Sequence, residues 1–175
     1  MALDPAPGGG PACGAMGENL SDWRWPAAAD AEAARRLRAE LPPAVPDAVC
    51  EALGGNAPYL ADLARREPAV LAAVVAGDGP DAVLAGVLAE LAASDPGRPG
   101  AEIAAALRQA KRRAGLCIAL ADIGGAWDLG RVTAALSDLA EVTLGLAVGH
   151  LLLGAHRAGK LRLPDPAAPA ACSGF

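Results

Sequence analysis

The sequence predicts an all-α fold: a helical bundle of short hairpins plus two long antiparallel helices, preceded by a disordered N-terminal tail. Apolar residues recur every three or four positions through most of the chain, and Pro and Gly clusters separate these stretches. No stretch alternates apolar and polar residues as a strand does. Alanine supplies much of the 53% apolar content, and its side chain buries little area. We therefore expect a thin core.

Short helices are predicted in the first half of the chain, after a Pro/Gly-rich tail at residues 1–25. Pro cannot continue a helix, and Gly tolerates the left-handed conformation that often follows a helix end. On this basis Gly54 and Gly55 close the second helix, and Asn56 caps the third. The predicted helices cover Asp30–Leu41, Pro46–Leu53, Pro58–Glu67, Ala69–Ala76 and Asp81–Ala93.

Two long amphipathic helices follow the Pro/Gly-containing loop Ser94–Gly100. The first ends at Gly124 and Gly125, and the second runs from Asp128 to about Arg157. Because a short Gly-rich turn joins them, we expect them to pack antiparallel. The stripe that predicts the first long helix consists of Ile103, Leu107, Ala110, Ala114, Cys117 and Leu120 or Ala121. The stripe of the second consists of Leu129, Val132, Leu136, Leu139, Thr143, Leu146, His150 and Leu153.

Composition excludes several classes of function. The formal net charge of −5 opposes binding to nucleic acid or anionic lipid. The N-terminus lacks the pattern of a signal peptide, and the most apolar window, Val142–Leu153, is too short to span a membrane. The cysteines form no close pair and are expected to be reduced thiols of a cytoplasmic protein; they are Cys13, Cys50, Cys117 and Cys172.

Few residues are candidates for chemistry. His150 and His156 have no carboxylate or Ser at a spacing that suggests a proton relay, so both are expected to have packing roles. The basic run Lys111-Arg112-Arg113 could dock an acidic partner, but three adjacent helical residues point in different directions, and a solvated face is favoured.

Structural roles, and not chemical ones, are also predicted for the glycines and carboxylates. Gly54-Gly55-Asn56 could cradle a phosphate, but no strand precedes it and no Lys-Ser/Thr follows, which favours a cap and turn. Asp122, Asp128 and Asp138 are assigned to solubility and helix-end electrostatics. Trp23 and Trp25 are expected to pin the tail onto the bundle. No catalytic, cofactor-binding or metal-ligating residue is predicted.

The stretch from Leu53 to Pro68, LGGNAPYLADLARREP, resembles a signature of bacterial glutamine synthetase adenylyltransferase/deadenylase. Leu107–Arg113, Ile118–Asp122, Trp127 and Val132–Ala140 are similar to the same family in the same order. The resemblance implies a helical domain, residues 26–165, that precedes the first nucleotidyltransferase domain. Residues 166–175 would be a truncated linker and the start of that domain, because Ala171–Phe175, which includes Cys172, resembles the short strand entry with which that domain opens.

The resemblance also implies a function in nitrogen regulation. The family's C-terminal half attaches AMP from ATP to a tyrosine of glutamine synthetase, and its N-terminal half removes AMP by phosphorolysis. Mg²⁺ and ATP or ADP are implied for the full-length enzyme, with glutamine synthetase and a PII-type signalling protein as partners.

The chain is expected to be inactive by itself, because the Asp-x-Asp pair that would bind Mg²⁺ does not occur in it. Whether it counts as an enzyme is left open. The main interpretation is an N-terminal fragment of the bifunctional enzyme. The alternative is a stand-alone helical interaction module without catalysis.

Overall fold

The structure is a computed structural model that describes residues 23–170. This part of the chain contains seven helices and no strand, which confirms the predicted all-α bundle. The helices are α1 (Ala31–Glu40), α2 (Asp47–Asn56), α3 (Pro58–Arg66), α4 (Pro68–Val75), α5 (Gly79–Ala92), α6 (Gly100–Ile123) and α7 (Leu129–Arg157).

The three longest helices, α5, α6 and α7, pack on one another, and α6 also contacts α3 and α4. Helices α6 and α7 are antiparallel, as predicted: the turn at residues 124–128 joins them, and Gly100 at the start of α6 lies against His150 in the last third of α7. Small and large apolar side chains of α6 are fully buried among these helices: Ala114, Leu116, Cys117, Leu120 and Ala121.

Helices α1 and α2 approach closely because two glycines of α2 face α1 and the segment before it. A Cβ atom on Gly54 would lie 2.9 Å from the Cβ of Leu37, and one on Gly55 would lie 2.4 Å from the Cβ of Ala28. Both glycines lie inside α2, and neither has a positive φ. The prediction that they close the second helix is therefore wrong, because they provide space for a neighbouring backbone.

The side chain of Asn56 ties the end of α2 to the segment before α1. Its amide nitrogen donates to the carbonyl oxygens of Ala27 (3.1 Å) and Ala52 (3.2 Å), and its amide oxygen accepts from the N–H of Ala29 (3.1 Å). The N-cap residue of α3 is Ala57, which makes no side-chain cap bond. The prediction that Asn56 caps the third helix is wrong, because its hydrogen-bonding groups form these other contacts.

The other predicted helix ends agree closely with the structure. Helix α6 ends before Gly124, and the next residue, Gly125, has a φ of 72°, in the left-handed region that favours glycine. Asp128 caps α7, and its carboxylate accepts the N–H of Arg131 at 2.7 Å. This contact confirms the helix-end role expected for Asp128.

The segment before α1 is packed on the bundle through tryptophan. Trp23 is buried, and its ring lies against Gly124. A Cβ atom added to Gly124 would be only 2.3 Å from that ring. The ring centroids of Trp23 and Trp25 are 5.6 Å apart. These contacts confirm the packing role predicted for the pair. Residues 1–22 of the predicted tail, and Cys172–Phe175, lie outside the described residues.

We predict that Gly55→Ala lowers the free energy of unfolding by about 1–3 kcal/mol, because the new methyl group overlaps the residue before α1. The matched control is Gly86→Ala on α5, because a Cβ atom added there would meet no neighbouring atom within 4 Å. This change should stabilise the chain by about 0.5–1 kcal/mol, because alanine has a higher helix propensity than glycine. Urea unfolding of both variants checks the prediction. Equal midpoints for the two variants would contradict the close contact.

Candidate functional site

Both histidines bind backbone groups near the end of the bundle. The Nδ1 atom of His150 is 2.9 Å from the carbonyl oxygen of Pro96, and the Nδ1 atom of His156 accepts the N–H of Leu163 at 3.2 Å. These contacts position the loop before α6 and the segment after α7. They agree with the packing roles that the sequence suggests.

The basic run on α6 does not form a simple solvated face. Arg112 donates from Nε to the buried carboxylate of Glu67 at 2.7 Å, and Arg113 pairs with Glu90 of α5. Lys111 is exposed. The prediction of a solvated face is therefore wrong for the two arginines. Each arginine links α6 to a neighbouring part of the bundle through an ion pair.

The described residues do not present a set of ligands for a metal ion. Among residues 23–170, no group of three His, Cys, Asp or Glu side chains could hold one. Asp122 and Asp138 are exposed on α6 and α7. The space beside Gly54 and Gly55 is filled by residues of α1 and of the segment before it, so no phosphate can bind there.

A charged and aromatic cluster that the sequence did not predict joins the starts of α5 and α7. The Asp81 carboxylate accepts from the indole Nε1 of Trp127 at 3.1 Å and from the Nε of Arg131 at 2.8 Å. The Arg131 guanidinium lies 4.4 Å from the Trp127 ring centroid, which is a cation–π contact. Asp81 is 46 positions from Trp127 and 50 from Arg131, so no local pattern identifies the cluster.

Cys117 is buried beside this cluster. Its thiol donates to the carbonyl oxygen of Pro80 at 3.3 Å. Burial, together with the Asp81 carboxylate, raises the pKa of Cys117 to about 12. Burial also raises the pKa of Cys50. Both cysteines are free thiols, as expected, whereas Cys13 and Cys172 lie outside the described residues.

The outer side of α7 is the surface that best fits a binding function. Of the five large apolar side chains that are exposed among residues 23–170, four belong to this helix: Leu129 (77% exposed), Leu136 (49%), Leu144 (63%) and Leu151 (69%). Val132, Leu146 and Leu153 of the predicted α7 stripe pack inward. The prediction is wrong for Leu129 and Leu136, which are exposed because α5 and α6 cover only one side of the helix. The seven- and eight-residue spacing of the four leucines is the signal of a second stripe.

An open groove of about 780 Å³ borders this surface. Helix α7 forms one wall, and the loop before α6 and residues 168–170 form the others. Pro169 is buried and lies against Gly149: a Cβ atom added to Gly149 would be 3.5 Å from the ring of Pro169. The α7 residues that line the groove are Glu141, Val142, Leu144, Gly145, Leu146, Val148 and Gly149.

Helix α7 is long and apolar enough, by length and composition alone, to cross a membrane. Its most apolar window has a mean hydropathy of 1.4, and 17% of the window is buried. The stretch considered from sequence, Val142–Leu153, is only part of a helix of 29 residues. One side of α7 packs on α5 and α6, and Asp138 and Glu141 lie near its middle.

Comparison with known proteins identifies relatives over most of the chain. The family model for glutamate-ammonia ligase adenylyltransferase matches residues 49–168. A bifunctional glutamine synthetase adenylyltransferase/adenylyl-removing enzyme of Xanthobacter autotrophicus is 46% identical over 128 residues, which cover 73% of this chain. A protein of the same description from Rhodopseudomonas palustris (strain BisB5) is 37% identical over 163 residues, which cover 90% of this chain.

The relatives are much longer than this chain. The matched stretch covers 13% of the Xanthobacter protein and 16% of the Rhodopseudomonas protein. A third relative, from Rhizobium meliloti, is 38% identical over 122 residues, which cover 67% of this chain and 12% of that protein. No solved structure gives a significant match.

We predict that Arg112→Met lowers the free energy of unfolding by about 1–2 kcal/mol, because it leaves the buried Glu67 carboxylate without its partner. Lys111→Met, at the adjacent exposed position, is the matched control and should change stability by less than about 0.5 kcal/mol. Chemical denaturation at neutral pH measures both. A loss from Lys111→Met as large as that from Arg112→Met would refute the structural role of the Glu67 pair.

We also predict that Cys50 and Cys117 react with iodoacetamide at pH 8 on the order of 100-fold more slowly in the folded chain than in urea. Both thiols are buried, and the raised pKa of each keeps it protonated at this pH. Because the folded state holds these protons more tightly, stability should fall as the pH rises above about 9. Mass spectrometry of labelled peptides measures the rates, and equal rates in the two states would contradict the buried sites.

Proposed function

This chain belongs to the glutamate-ammonia ligase adenylyltransferase family, and on that premise we propose that it is a helical, non-catalytic part of a glutamine synthetase adenylyltransferase/adenylyl-removing enzyme. The names of its relatives include both activities. Because the match spans only 13–16% of two of those relatives, we assign both reactions to the longer protein and a supporting role to this chain.

The single observation that carries the proposal is the family match over residues 49–168, which coincides with the helical bundle from α2 to the segment after α7. The side chains of this stretch mainly stabilise the bundle: Asn56, Glu67, Asp81 and Arg112 all bind other helices or the segments between them. Such a unit is suited to support another domain.

Catalysis is assigned to the remainder of the family protein. Nucleotidyl transfer depends on carboxylates that hold Mg²⁺ and on groups that position the nucleotide phosphates. The described residues do not fit Mg²⁺, because they offer no group of three His, Cys, Asp or Glu side chains that could hold it.

The proposed partner is glutamine synthetase, with a PII-type signalling protein as a second one, and the proposed compartment is the cytoplasm. The net charge of −5 and the two buried free thiols are compatible with this assignment. Nucleic acid is not proposed as a partner.

We predict that the purified chain releases no ADP from adenylylated glutamine synthetase supplied with phosphate and Mg²⁺. The full-length Rhodopseudomonas relative, assayed in parallel, is the positive control. Coupled detection of ADP measures the reaction. Turnover by the chain alone above the protein-free rate would overturn the assignment of catalysis to the remainder.

A chimera tests the supporting role directly. The matched stretch of the Rhodopseudomonas relative is replaced by this chain, which covers it over 163 residues. We expect the folded chimera to retain AMP transfer to and removal from glutamine synthetase. A folded chimera that has lost both activities would favour the stand-alone interaction module.

A further inference from the structure

Helix α7 presents a continuous uncharged stripe to the outside of the bundle. We name it the outer stripe; it consists of the half-buried Ala147 and six exposed residues, Leu129, Thr133, Leu136, Ala140, Leu144 and Leu151. At 100° per residue these side chains lie within a sector of about 80°. Large leucines alternate with small Thr or Ala at spacings of three and four residues. This pattern is typical of a helix surface that seats the ridge of a second helix.

The hydroxyl groups on and beside the outer stripe are bonded to α7 itself. Thr133 donates to the carbonyl oxygens of Leu129 and Gly130, at 2.9 Å each. Ser137 donates to the carbonyl oxygen of Thr133 at 3.0 Å, and Thr143 donates to that of Leu139 at 2.8 Å. The surface therefore presents methyl and methylene groups, with no hydroxyl donor free for water.

Resting on the proposed function, we propose that the outer stripe is a docking surface for the part of the family polypeptide that lies outside the matched stretch, and that a helix of that part covers it. The matched stretch is 90% of this chain but 16% of the Rhodopseudomonas relative, so most of that protein is available to cover it. An exposed, mostly apolar stripe about six turns long is unusual on the surface of a monomeric soluble protein.

The segment after α7 returns along the helix to the outer stripe. The chain turns at Gly159, and Leu163 and Pro169 are buried as it returns along α7. Residues 168–170 line the groove together with Leu144, which also belongs to the outer stripe, so they lie beside the middle of α7.

Two other occupants are disfavoured by charge. Asp138 and Glu141 lie near the middle of α7, where a lipid-facing helix would place them in the hydrocarbon core. A second copy of the chain, paired antiparallel about Ala140, would bring two Glu141 carboxylates beside the two-fold axis. Like charges there oppose self-association.

Thiol labelling of the outer stripe tests the proposal. Leu144→Cys introduces a thiol at a position that is 63% exposed, and Tyr59→Cys on α3 is the matched control at 64% exposed. Cys13 and Cys172 are replaced by Ser, whereas Cys50 and Cys117 are buried and stay. Labelling rates are measured in the isolated chain and in the Rhodopseudomonas chimera.

We expect the thiol from Leu144→Cys to label at least about tenfold more slowly in the chimera than in the isolated chain, while the thiol from Tyr59→Cys keeps its rate within about twofold. Equal labelling of the Leu144→Cys thiol in both proteins would overturn the proposal. Equal protection of the two thiols would also overturn it, because the covering would not be specific to the stripe.

The alternatives have their own outcomes. Protection in the isolated chain that increases with its concentration would assign the stripe to a second copy, and protection that requires phosphatidylcholine vesicles would assign it to a bilayer. If the chimera does not fold, the same substitution is made in the Rhodopseudomonas relative at the position aligned with Leu144. An active chimera with a freely labelled Leu144→Cys thiol refutes the docking surface alone, whereas an inactive one with a protected thiol refutes the proposed function alone.

Discussion

Close packing around α6 is the constraint on which the rest of the bundle depends. Helices α3, α4, α5 and α7 all contact it, and small residues such as Ala114 and Ala121 let their backbones approach. Two arginines of α6, Arg112 and Arg113, pair with carboxylates of neighbouring elements. Helix α6 is therefore the centre of the core and also carries the ion pairs that bind it to its neighbours.

Helix α7 is in the opposite situation, because α5 and α6 can cover only one side of it. Among residues 23–170 no helix covers the other side, so the outer leucines stay exposed. A large exposed apolar surface is typical of a site that another protein surface covers. This mismatch between composition and burial connects the fold to the proposed role within a longer family enzyme.

Most of the helical architecture could be predicted from the sequence, because Pro and Gly mark helix boundaries and the stripes of α6 and α7 are long. The roles of Gly54, Gly55 and Asn56 could not be, since glycine serves equally at a helix end and at a close helix contact. Arg112 looked solvated because its partner, Glu67, lies 45 positions away. The outer stripe was not separated from the packed one: Leu129 and Leu136 were predicted to pack with Val132 and Leu146, because leucines on two sides of a helix fit the same three- and four-residue spacing.

The central claim is that the outer side of α7 is an interior surface of the family enzyme. An experimentally determined structure of the full-length Rhodopseudomonas relative measures this directly, through the accessibility of the side chains aligned with Leu136, Leu144 and Leu151. We expect residues from outside the matched stretch to cover these positions. Side chains there that remain exposed to solvent in the full-length protein would contradict the claim.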